Sequence, residues 1–213
     1  MREREGWSCP LRRGRSKSVN RILRRKDMAR VPTVTRDKVP QQYREAFDEI
    51  TASRGGVITS GPNSVMINSP EMAHRAGHLS EYLRTESTLS KKIQELAMLT
   101  TARGNDCQYI WNAHAASGRK AGLSDALVDA LRDKKPIPTG TPADEATVVN
   151  YGLEFFRTRK VSQRSFDTAV KQFGAQGLTE LTTLMGYYAL LAFNANSFMI
   201  DLPANRTEQV LPI

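Results

Sequence analysis

The chain has 213 residues, of which 39% are hydrophobic, with a formal net charge of +9 and 2 cysteines. That length holds one or two compact domains with an ordinary core, so no disulfide or metal staple is needed. Cys9 and Cys107 are too few for a secreted disulfide framework and fit a reducing, cytoplasmic setting. The longest apolar runs, such as Tyr187 to Phe193, fall far short of the roughly 20 residues that cross a bilayer, so no membrane partner is expected.

The charge is unevenly placed. Residues 1–27 hold ten Lys and Arg against Glu3, Glu5 and Asp27, whereas residues 28–213 hold 21 against 19 acids. The basic character therefore belongs to a tail. Its Arg, Ser and Gly content offers too little apolar surface to offset ordering entropy, and it lacks the apolar stretch of a secretory signal. A disordered tail, or a segment upstream of a start at Met28, is the expectation. Phosphate contact through charge and an organelle-targeting role are weaker readings: Trp7 is the only aromatic available for stacking, and the three acids oppose a transit peptide. Nucleic acid is not an expected partner.

From residue 28 onward the expectation is one all-α domain of about 7–8 helices. Pro40 to Ala52 carries Tyr43, Phe47 and Ile50 at helical spacing and stops at Arg54-Gly55-Gly56. Residues 57–69 read as a loop, with Val65-Met66-Ile67 as a short extended piece. Ser69 and Pro70 open a helix to about Arg84. Another spans about Leu89 to Arg103, with Ile93, Leu96 and Leu99 or Thr100 as its stripe and Gly104 as its C-cap. Asn105 or Asp106 starts the next, which runs to Lys120 and ends at Gly122. Ser124 caps a short helix through Leu131. Pro142 to Glu145 opens a helix to Arg159, with acids in its first turn. Ser162 caps one that ends at Phe173-Gly174. The last, from Leu178 to Met199, is apolar nearly all round, as a buried central helix or a subunit interface would be. Residues 201–213 read as a polar tail. Glu95-Leu96-x-x-Leu99 recurs as Glu180-Leu181-x-x-Leu184, a faint internal repeat.

One constellation could carry chemistry. Cys107 and His114 are seven apart, about two helical turns or roughly 10.5 Å along one face. A hairpin at Gly104 would fold Glu95 back onto that face. A carboxylate fixes an imidazole's tautomer, and an imidazole favours a nearby thiolate. Placement of Cys107 in the first helical turn would lower its pKa further. Together these residues suit a thiol site or general acid–base catalysis. Each has a plainer role available: Cys107 as a small buried hydrophobe, His114 and Glu95 as structural partners, Tyr109 and Trp111 as packing. His74 and His78 have zinc-compatible spacing, but Arg75 opposes a cation between them, so no metal is expected.

The run Glu95-x11-Cys107-Gln-Tyr-Ile110-Trp111-x2-His114, followed by Arg119-Lys-Ala-Gly-Leu-Ser124, resembles the signature of the carboxymuconolactone decarboxylase family, which includes the alkyl hydroperoxidase D-like proteins. The resemblance spans about residues 40–200 and is densest over 89–131. It implies an all-α, usually homo-oligomeric, cofactor-free enzyme acting on a small molecule. Its hydroperoxidase branch is similar in placing a Glu, a Cys-x-x-Cys pair and a His at this spacing, so Glu95, Cys107 and His114 match. Ile110 stands where the second cysteine would be. The resemblance thus implies peroxiredoxin-type activity centred on Cys107, with an external thiol reductant or another subunit needed to complete the cycle. The Tyr-x-Trp-x2-His form resembles the decarboxylase-like members instead, in which His114 and Glu95 would move protons on a lactone or related acid. Arg103 or Arg119 would then hold a substrate carboxylate, beside Tyr109 and Trp111. A non-catalytic helical binding protein is the remaining alternative.

Overall fold

The computed structural model describes residues 30–203 and 205–213; the basic tail, Cys9 and Met28 lie outside these described residues. Eight α-helices follow in order: α1 (Arg44–Ala52), α2 (Pro62–Met66), α3 (Pro70–Glu81), α4 (Lys91–Gly104), α5 (Gln108–Lys120), α6 (Asp125–Arg132), α7 (Ala143–Thr158) and α8 (Gln163–Ser197). There is no strand among the described residues, and no helix is long and apolar enough to cross a membrane.

Side-chain caps fix several starts. Ser90, Ser124 and Ser162 each accept from the backbone N–H three residues on, at 3.4, 3.2 and 3.3 Å, which satisfies an orphan donor at each helix N-terminus. Ser69 makes no such bond; Pro70, with no N–H to satisfy, begins α3 instead.

Four local expectations are corrected. Val65-Met66-Ile67 is not extended: the Gly61-Pro62 turn nucleates the short helix α2. The helix after Ser69 ends at Glu81 and passes into a π-turn over Tyr82–Glu86. Gly104 is the last residue of α4 rather than its cap, and the chain reverses through Asp106 at φ 48°, so α5 starts at Gln108. The two last helices form one hydrogen-bonded run, α8, kinked at Gly174 (φ 68°, ψ 175°). That glycine still marks the boundary, because its backbone conformation suits a residue without Cβ.

The centre is α4, not the final helix. Every residue from Ile93 to Arg103 is buried, because α4 packs against α5, α7 and α8 together. Only a helix enclosed on all sides loses its polar face. Close approach needs small residues at the contacts. At Gly152 of α7, a Cβ would sit 2.7 Å from Thr100 Cγ2 and 2.9 Å from Met185 Cε. By contrast α8 leaves Leu190 and Phe193 exposed, Phe193 by 76%. The segment after α8 is not merely a polar tail. Leu211 is fully buried, and Gln108 and Arg103 donate to the carbonyls of Leu211 (3.0 Å) and Pro212 (2.9 Å).

Glu180 ties the π-turn to α8. Its carboxylate accepts from Tyr82 Oη (2.9 Å), Thr88 N (2.8 Å), Thr88 Oγ1 (2.5 Å) and Gln176 Nε2 (3.0 Å). Burial pushes its pKa up, but these donors outweigh burial and hold it down at about 2.

The packing gives a paired expectation. Gly152→Ala overpacks the α4–α7–α8 junction and costs about 1–3 kcal/mol. Gly77→Ala, in α3 with nothing within 4 Å of the added methyl, gains about 0.5–1 kcal/mol from helix propensity. Urea unfolding of both variants checks the sign and order.

Candidate functional site

The α4–α5 hairpin brings Glu95 and His114 together. His114 Nδ1 lies 2.8 Å from Glu95 Oε2. An ionised carboxylate only accepts, so Nδ1 carries a proton, and Nε2 is the nitrogen left free of Glu95. Glu95 is 2% exposed, and its other oxygen meets Lys91 Nζ at 2.8 Å. Burial pushes the Glu95 pKa up, but hydrogen bonds and charge from His114 and Lys91 hold it below the ordinary value. The His114 side chain is itself half-buried and meets Tyr188 of α8 edge-on, with ring centroids 5.1 Å apart. Burial pushes the Tyr188 phenol up to about 12, with Arg84 opposing, so it stays a neutral wall of the site.

Two members of this cluster were not singled out from sequence. Lys91 was legible: it stands four residues before Glu95 on one helix, a spacing that pairs opposite charges. Tyr188 had no local signal, since only the packing of α8 on α5 brings it to the imidazole.

Cys107 stands apart from this pair. It is the N-cap of α5, one position before the helical turns, and is fully buried. The expectation of a lowered thiol pKa is corrected here. Burial pushes the thiol up; the Ile110 and Tyr109 amides favour the thiolate, but Sγ closes no capping hydrogen bond and burial wins. No hydrogen bond joins Cys107 to His114 among the described residues. The turn that carries Cys107 is built by its own N–H, which donates to Ala102 O at 2.8 Å. Ile110 is buried, and Cys107 is the one free cysteine among the described residues.

The remaining residues hold structure. Trp111 is buried in the main core. Tyr109 is half-buried, with its hydroxyl against Gly61. Arg103 donates to Arg132 O (2.9 Å) and Pro212 O (2.9 Å) and pairs with Asp106. Arg119 pairs with Asp125 (2.5 Å), Asp129 (2.7 Å) and Glu208 (3.4 Å), joining α5, α6 and the C-terminal segment. Neither arginine borders His114 through these contacts. His74 pairs with Glu49 at 2.7 Å and packs on His78, and the described residues hold no group of three or more metal-ligating side chains. The arrangement around His114 can accept or deliver a proton at Nε2 while Glu95 holds the tautomer.

Comparison with known proteins gives a family match over one segment and a likeness of fold. Residues 70–148, which contain Glu95, Cys107 and His114, match the carboxymuconolactone decarboxylase family. No curated protein matches the chain in sequence. Among solved structures, an alkylhydroperoxidase AhpD core, a peroxidase-related protein from Ralstonia eutropha, shares 18% identity with a TM-score of 0.63, over 84% of this chain and 94% of its own. A peroxidase-related protein from a Silicibacter species shares 16% with a TM-score of 0.64, over 86% and 96%. The debrominase Bmp8 shares 12% with a TM-score of 0.62, over 81% and 91%. These identities speak to the fold alone. Over residues 70–148 the chain is thus similar to the carboxymuconolactone decarboxylase family, and its all-helical fold is similar to that of the alkylhydroperoxidase AhpD core.

Proposed function

We propose that the protein is a cofactor-free enzyme for a small organic acid or lactone, in which His114 Nε2 is the general acid–base group and Glu95 its orienting partner. The observation that carries this reading is the 2.8 Å contact of the buried Glu95 carboxylate with His114 Nδ1. A buried carboxylate on one ring nitrogen stabilises the imidazolium formed when the other takes a proton. Decarboxylation or lactone isomerisation of this kind needs a proton removed and returned at carbon, and needs no metal. The exposed Leu190 and Phe193 of α8 suit a contact between subunits of a homo-oligomer. The tail of residues 1–27 and a single domain over 28–213 remain part of this reading.

A second reading is favoured by Cys107 at the start of α5, toward the Tyr109 and Ile110 amides. There the thiolate attacks a hydroperoxide oxygen, breaking O–O to give a cysteine sulfenic acid and an alcohol. With Ile110 in place of a second thiol, an external thiol must reduce it. The peroxidase-related descriptions of two structural neighbours support this reading. The complex of Bmp8 with 2,3,4-tribromopyrrole supports a small-molecule substrate in either case.

Parallel assays separate the two. With a carboxylated muconolactone, followed by CO2 release, His114→Ala loses about 10²–10⁴-fold in kcat, Glu95→Gln loses activity, and Cys107→Ser keeps it. Hydroperoxide consumption with a dithiol reductant that is abolished by Cys107→Ser, alongside no lactone turnover, overturns the acid–base reading.

The Glu95 pair also ties stability to pH. Its folded pKa is depressed, so its contribution is complete above the unfolded value of about 4.3 and is lost as pH falls through the lower folded value. Glu95→Gln is therefore destabilised at pH 7 by about 1–3 kcal/mol. The gap to wild type narrows toward pH 3 in urea unfolding.

A further inference from the structure

A groove of about 1070 Å³ runs between α6, the Lys134–Ile137 loop, α7 and the first turns of α8. None of Glu95, Cys107 and His114 lines it, so the chemistry proposed above does not use it. Its size is at the upper end of small-molecule sites. Its apolar lining includes Leu131, Val149, Leu153 and Phe156, of which Leu131 and Val149 are buried and Leu153 and Phe156 half-buried.

The charge around this apolar floor is one-sided. Five cations line the groove (Arg103, Lys134, Lys135, Arg157 and Arg164) against two acids, Asp106 and Glu154. Residues 28–213 as a whole hold 21 cations against 19 acids, so the groove alone exceeds their entire positive balance. Lys134 is shared with Asp106 at 3.5 Å, and Lys135 with Asp133 at 3.1 Å. Glu154 is engaged by the Ser162 N–H at 3.0 Å. Arg157 and Arg164 form no ion pair among the described residues. Arg103, 4% exposed, keeps its Nε without a partner although the rest of its guanidinium is bonded. A buried N–H left unmatched costs free energy unless a ligand or water completes it.

From this combination we infer that the groove between α6, α7 and the start of α8 binds an amphipathic organic anion, with an apolar body on the Leu131–Val149–Leu153–Phe156 floor and a single carboxylate or sulfonate held by Arg157 and Arg164. A neutral apolar molecule gains the floor but leaves the cations unmatched. A multiply charged phosphate gains the cations but cannot use the floor. The anion with an apolar body uses both, and arginine matches its head group in a bidentate manner.

The test uses the full chain and anilinonaphthalene sulfonate fluorescence, with displacement by decanoate and by decanol. Saturable binding is expected, with decanoate displacing the dye about tenfold better than decanol, since a charge-assisted pair is worth about that factor. The double variant Arg157→Glu/Arg164→Glu weakens decanoate by about tenfold or more at unchanged thermal melting. Phe193→Ser, which removes the most exposed aromatic elsewhere on the surface, leaves the decanoate-sensitive signal unchanged. Equal displacement by decanol and decanoate overturns the inference, as does affinity indifferent to the two charge reversals. A change of oligomeric state in the double variant, seen by sedimentation, also overturns it, because the groove would then be filled by a second copy of the chain.

Discussion

The structure depends on enclosing a helix that carries polar groups. Residues Ile93 to Arg103 of α4 are buried without a break, and they include Gln94, Glu95, Thr100, Thr101 and Arg103. A buried polar group costs free energy unless it is bonded, and a buried charge costs more. The bundle bonds most of these groups and leaves Gln94 Oε1, Thr100 Oγ1 and Arg103 Nε without a partner among the described residues. Gln94 donates to Leu89 O at 3.1 Å, and Thr101 returns its hydroxyl to Ala97 O at 2.8 Å. Arg103 reaches the end of α6 and the C-terminal segment. Glu95 takes Lys91 from its own helix and His114 from α5. The bonds that Arg103 and Glu95 make beyond α4 align α6, the C-terminal segment and α5 with it, so bonding those groups and arranging these layers are one physical requirement.

Three buried glutamates show how this works between helices. Glu145 of α7 meets Lys92 of α4 at 2.6 Å. Glu180 of α8 gathers the π-turn and Thr88. Glu95 joins α4 to α5. Buried ion pairs gain little net stability over apolar packing, but losing one partner strands a charge. Their effect is therefore on register: each pair is satisfied in one relative placement of two elements. Glu180 and Glu145 spend all their contacts on structure. Glu95 differs, because its partner has a second nitrogen turned to neither Glu95 nor a hydrogen-bonded neighbour among the described residues.

The same enclosure separates the histidine from the thiol. His114 keeps partial access, whereas Cys107 is sealed in the main core, where desolvation penalises the thiolate. A helix start beside a thiol is commonly read as activating. Here the amides and the burial act in opposite directions, and the missing capping bond leaves burial the larger effect. Partial access and the Glu95 contact at His114 are consequently what support the proposed proton transfer there. Thiol chemistry at Cys107 requires local opening of the bundle.

Much was legible in the order of residues. The start of α3 at Pro70, the end of α5 near Lys120 and the start of α6 after Ser124 follow from caps, prolines, glycines and apolar spacing, because these act within one or two turns. The Glu95–Cys107–His114 run and the hairpin that returns Glu95 to His114 were readable for the same reason: a short reversal leaves few alternatives for two adjacent helices. The sequence could not rank the helices by depth. The final helix is the more apolar, yet α4 is central, because Ala97, Ala102 and the threonines let three neighbours close on it, and Gly152 lets α7 approach Thr100. Nor could sequence tell that Arg103 and Arg119 are bound to partners, that Tyr188 meets His114, or that Leu211 returns to the core. Arg103 reaches Pro212 across 109 positions and Arg119 reaches Glu208 across 89, while Tyr188 and Leu211 come to helices far from them in the chain. By itself the sequence determined the helices and the spacing of the catalytic candidates, which local backbone physics sets. Only the tertiary structure decided which of those candidates touch and which keep access to solvent, because burial and long-range pairing are properties of the packed whole.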